Sequence, residues 1–143
     1  MGDVVFNTDV MVYASLPACR GHAACRNALR DQLDRGMLYL TVGVVADWIT
    51  TVTDPNKFKP PAPMGAAVAN VKHFLSHEKV QVLASDDAVA RCMIGLLERH
   101  PELDASDAML LATLRVAGVR TLVTVRRTFT RFDFVDVVDP TAS

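Results

Sequence analysis

Val4-Val5-Phe6-Asn7-Thr8-Asp9-Val10-Met11-Val12-Tyr13-Ala14 passes from three apolar residues through three polar ones directly into a second apolar stretch. So short an apolar run, ending on hydrogen-bonding side chains, reads as a buried strand, and the residues after it read as the first turns of a helix. A strand that feeds straight into a helix is the opening of an α/β unit. The alternation continues along the chain. Further strand candidates are Met37–Thr41, Val80–Leu83, Thr121–Val125 and Phe134–Val138, most of them continuously apolar, as strands covered on both faces are. Between them, Val89, Cys92, Met93, Leu96 and Leu97 fall on one stripe of a helix over Asp86–Arg99. The same spacing recurs as Val44, Val45, Trp48, Ile49 and Val52, as Ala67, Val68, Val71, Phe74 and Leu75, and as Leu110, Leu111, Leu114 and Ala117. Gly36 and Gly118 stand where helices end ahead of strands. The expected fold is α/β, with helices packed on a mostly parallel sheet of about five strands.

Working outward, 143 residues suit one domain, so a single unit over 1–143 is expected. Half of the residues are apolar, which excludes a disordered chain. No apolar run approaches the roughly 20 residues that cross a bilayer, and Met1-Gly2-Asp3 shows no secretory leader. Three cysteines, Cys19, Cys25 and Cys92, all in segments read as helical, suit reduced thiols, so a cytoplasmic protein is expected. A net charge of −1 offers no global attraction to nucleic acid, and any such contact has to be local. The long loop Asp54–Pro63 holds four prolines and reads as a stiff lip over a site.

Ligands of an open parallel sheet bind beyond the carboxyl ends of its strands. Four polar places qualify: Asn7-Thr8-Asp9, Asp47, Asp104-Ala105-Ser106-Asp107, and Arg126-Arg127-Thr128. Asp47 lies among Val45, Ala46, Trp48 and Ile49, and a carboxylate buried there needs a partner. Carboxylates converging from separate segments form an oxygen-lined pocket suited to Mg²⁺ or Mn²⁺, which can activate water against a phosphodiester. Each residue also has a structural reading. Asp9 can cap the first helix, Asp107 can be a first-turn acid behind a capping Asp104, and Asp47 can be solvated. Arg115, Arg120, Arg126, Arg127 and Arg131 can form a solvated surface or an RNA contact. Cys19, His22 and Cys25 mimic a zinc spacing, yet the outer two point about 120° apart on a helix, so structure is the better reading. A flavodoxin-like nucleotide site is disfavoured, since no Gly-rich loop follows the first strand.

VVFNTDVMVYA resembles the opening of a PIN domain of the VapC toxin type, and RGHAACRNALRDQL resembles its second helix. LTVGVVADWITTVTDPNKF, DASDAMLLATLRVAGVRTLVTVRRTFTRF and FVDVVDP resemble its later segments in order, so the likeness covers essentially the whole chain. The resemblance implies a three-layer α/β/α PIN-like fold and a Mg²⁺- or Mn²⁺-dependent endoribonuclease. It also implies a homodimer, an RNA substrate and a small antitoxin partner. On its pattern Asn7, Asp47 and Asp107 are the catalytic candidates, the same three with Asp9 the metal ligands, and Thr8, Thr124, Arg126 and Arg127 the phosphate or RNA contacts.

The pattern breaks at several of these positions. Asn7 stands where the family has its first aspartate, and Asp9 where it has asparagine. Asp47 replaces a more usual glutamate, while Arg126 and Thr128 replace the last acids. These exchanges move the site's formal charge about three units towards positive and weaken metal binding. Two outcomes stay open: a weakened nuclease that uses Asp47 and Asp107 helped by Asn7 or Asp9, or a non-catalytic module in which Arg126 takes the cation's place and pairs with Asp47 or Asp107.

Overall fold

Three buried residues, Val4–Phe6, form the central strand β1, and the computed structural model, which describes residues 2–142, builds the sheet around it. Leu38–Thr41 (β2) and Thr121–Val123 (β4) flank β1, while Val80–Leu83 (β3) and Asp136–Val138 (β5) take the edges, in the order β3-β2-β1-β4-β5. Every pairing is parallel, with Val4 opposite both Leu38 and Thr121. This is the expected α/β class. β1 and β3 have the expected bounds, whereas β2, β4 and β5 are shorter than the sequence suggests, and β5 is largely exposed because it is an edge strand.

Among the described residues, six α-helices flank the sheet: α1 (Thr8–Ser15), α2 (His22–Arg35), α3 (Val42–Val52), α4 (Met64–Leu75), α5 (Asp87–Arg99) and α6 (Ala105–Ala117). They pack as α1 with α2 and α3, α3 with α4, and α5 with α6. Phe6, Met11, Leu38, Leu40, Leu96, Leu111, Leu114 and Leu122 fill the core between the layers. The predicted stripes hold for α3 and α5. Val68 and Ala117 are corrections, because each turns to solvent rather than to the core.

Gly118 ends α6 in the left-handed conformation (φ +72°), which favours glycine. Cys19 is a further correction. It lies in the turn before α2, and His22 Nδ1 donates to the Tyr13 carbonyl at 2.8 Å, so the zinc-like spacing serves a structural contact. Among the described residues, no helix is long and apolar enough to cross a membrane.

Candidate functional site

The strand order reverses direction at β1, with β2 on one side and β4 on the other, and this is where an open sheet leaves a crevice at its carboxyl edge. Asn7 follows β1 and Thr124 follows β4, so the two meet at that point. Asn7 is 6% exposed; its Oδ1 caps α1 by accepting from the Thr8 amide at 2.8 Å, and its Nδ2 donates to Thr124 Oγ1 at 3.3 Å. Two more helix starts face the same cavity. Thr41 caps α3 by accepting from the Val44 amide, and Asp104 caps α6 by accepting from the Asp107 amide.

The cavity holds about 380 Å³ and gathers Asn7, Thr8, Asp9, Asp47, Asp107 and Arg126 from separate parts of the chain. The structure thus brings together all four acidic-site candidates. Lys57 and Phe58 of the proline-rich loop also form part of the wall, as a lip does. Thr41 and Met109 line the cavity without having stood out in the sequence, whereas Ser106 and Lys57, which also line it, lie in stretches that the sequence singled out.

The polar contacts are specific. Asp107 is buried, and both of its oxygens are bound: Arg126 Nη1 donates to Oδ1 and Nη2 to Oδ2, each at 2.7 Å. The same guanidinium lies 5.0 Å from the centre of the buried Phe129 ring. The Asp107 carboxylate raises the pKa of Arg126 above its ordinary value. Asp9 Oδ1 accepts from the Val10 amide at 2.7 Å, and its Oδ2 accepts from the Thr124 hydroxyl at 2.8 Å and the Val125 amide at 3.0 Å. Burial nevertheless pushes the Asp9 carboxyl above its ordinary range, against the opposing effect of those hydrogen bonds.

Several expectations need correcting. Asp47 is exposed at the cavity and takes part in no ion pair among the described residues, because the apolar neighbours on α3 turn inward and leave it outside. Thr124 is fully buried, and its hydroxyl is shared among Asp9, Asn7 and the Arg126 amide, so it braces the site and cannot touch RNA. Asp9 is tied to the segment after β4 and is not turned towards Asp47. Thr8 borders the cavity, while Arg127 lies beside a shallower depression with Asp107, Arg126 and Arg131.

This donor set does not fit a divalent ion. Mg²⁺ and Mn²⁺ need several uncommitted oxygens, whereas Asp107 is clamped, Asp9 has three donors and Asn7 caps its helix, which leaves Asp47 alone. Among the described residues, no cluster of three metal-ligating side chains is positioned to hold an ion.

No protein-family model matches the chain. Ribonuclease VapC48 of Mycobacterium tuberculosis strain H37Rv is 27% identical over 139 residues, which span 94% of this chain and 95% of that protein. The crystal structure of Mycobacterium tuberculosis VapC20, a toxin that cleaves the sarcin-ricin loop, aligns with a TM-score of 0.74 at 18% identity, over 92% of this chain and 96% of that one. Rickettsia felis VapBC2, solved on a DNA fragment from its promoter, aligns with a TM-score of 0.72 at 17% identity, over 95% of this chain and 97% of that one. Sequence likeness and structural alignment, each over nearly the whole length, agree: the chain resembles the VapC proteins and shares their PIN-like fold.

Proposed function

We propose that the protein is the ribonuclease toxin of a toxin–antitoxin pair and that RNA enters the cavity at the carboxyl edge of the sheet. One observation carries the reading: Asn7, Asp47 and Asp107, from three separate elements, share one cavity at the sheet's switch point. The name of the Mycobacterium tuberculosis relative supports RNA as the substrate class, and the alignment with a toxin–antitoxin complex from Klebsiella pneumoniae supports an antitoxin as the partner. The absence of a spanning helix among the described residues and the three free cysteines accord with action in the cytoplasm. Ile94 on α5 and Val116 on α6 are exposed and apolar, which suits a homodimer through these helices.

A second reading is favoured by the clamp on Asp107. In it the fold binds RNA or antitoxin without hydrolysis, because the third acid of the site is already neutralised by Arg126. The purified, antitoxin-free chain, incubated with structured RNAs in Mg²⁺, Mn²⁺ or EDTA beside Asp107→Ala, separates the two. Metal-dependent cleavage that is lost in the variant supports the nuclease. A folded protein that retains RNA but leaves it intact in every buffer supports the binding module.

A further inference from the structure

A cation belongs beside Asp107, since a buried carboxylate at the floor of an open cavity is costly without one. The chain supplies that cation itself. We infer that the Arg126 guanidinium is the resident cation of this cleft and that, in the RNA-free chain, it keeps divalent metal ions off Asp107.

Three contacts hold it there. The two hydrogen bonds to Asp107 use both oxygens of the carboxylate in the paired geometry that a planar guanidinium favours, so an incoming ion finds no free oxygen on it. The ring of Phe129, fully buried, lies under the guanidinium with its centre 5.0 Å away, a second contact on the same group. The Arg126 amide donates to Thr124 Oγ1 at 3.2 Å, which anchors the backbone from which the side chain reaches across. The Asp107 side chain is 11% exposed and that of Arg126 is 42%, so the carboxylate depends on the pair more than the guanidinium does. Any metal must therefore displace a positive charge already seated on its best ligand, and of the described carboxylates lining the same cavity Asp47 alone has both oxygens without a hydrogen-bond donor. Seating of Arg126 is a property of the free chain and holds whether or not RNA is cut in the cavity.

The test is Mn²⁺ binding to the full chain without RNA, read by electron paramagnetic resonance of the unbound ion. Wild type, Arg126→Ala, Arg126→Gln, Arg126→Lys and Arg126→Ala/Asp107→Asn are compared, with circular dichroism to confirm folding. Wild type should bind no tighter than about 1 mM. Arg126→Ala and Arg126→Gln should each gain affinity on the order of tenfold, and the double variant should lose that gain. Arg126→Lys, which keeps the charge, should remain close to wild type. Wild-type binding well below millimolar overturns the inference without reference to any variant. So does a folded Arg126→Ala or Arg126→Gln protein that gains nothing. Since no RNA is present, the result does not depend on whether the protein cleaves it.

Discussion

Asp9 shows how far a single position can diverge from what the sequence suggests. It is a carboxylate near an acidic cavity, yet its oxygens are spent on the Val10 and Val125 amides and the Thr124 hydroxyl. Burial raises its pKa in the native state, so the native state holds the proton more readily than the unfolded chain does. Its contribution to stability is therefore complete below the ordinary carboxylate range and is lost as pH rises through the raised native value. Urea midpoints measured at steps between acid and neutral pH should show wild type gaining on Asp9→Ala as pH falls, and a gap that widens towards neutrality contradicts this. Cys25 is a second such residue. It has no exposed surface, and burial pushes its thiol up to about 11, so it stays protonated at neutral pH. A thiol-disulfide reagent added to native protein should label Cys19 and Cys92 well before Cys25; labelling of Cys25 at an equal rate means that α2 opens readily. The sequence offered Arg126 a partner in Asp47 or Asp107 without deciding between them. Asp107 and Arg126 are 19 positions apart and meet because α6 begins, and β4 ends, at one edge of the sheet.

Elements carry most of what was legible. Helix and strand periodicity reports which face is buried, and that depends on neighbours along the chain, so α3, α5 and the central strands appear where their patterns place them. Element ends were less legible. The Thr121–Val125 run stops being a strand at Val123, since Thr124 turns its hydroxyl inward to Asn7, Asp9 and the Arg126 amide. This one side chain joins the end of β4 to the start of α1. Thr124→Val keeps the shape and removes the hydroxyl, which leaves buried polar groups without partners. The expected loss is about 1–3 kcal/mol in denaturant unfolding, with Thr124→Ser recovering most of it. Equal midpoints for Thr124→Val and wild type show that water or rearrangement replaces the hydroxyl and that the junction does not depend on it.

At the scale of the whole molecule, family likeness was readable because the order and spacing of several weak motifs extend over the entire chain, and each rests on local patterning. Electrostatics was not, because charges cancel between distant residues. The five arginines late in the sequence look like a basic face, but four of them make side-chain contacts within the fold. Arg120 pairs with Asp136, Arg126 with Asp107 and Arg131 with Glu102, while Arg115 lies 4.5 Å from the Phe134 ring centre. Arg127, and Lys57 at the cavity wall, enter no ion pair among the described residues. If RNA meets the chain through Arg127 and Lys57 alone, it displaces few counterions. For two phosphate contacts on single-stranded RNA, the logarithm of the binding constant should fall with the logarithm of salt at a slope of about −1.4. Arg127→Ala and Lys57→Ala should each make that slope shallower by about 0.7. Filter binding of a labelled RNA across a salt series measures both quantities. A slope several times steeper shows that more basic side chains than these two meet phosphate, among them Arg126, whose guanidinium lines the cavity.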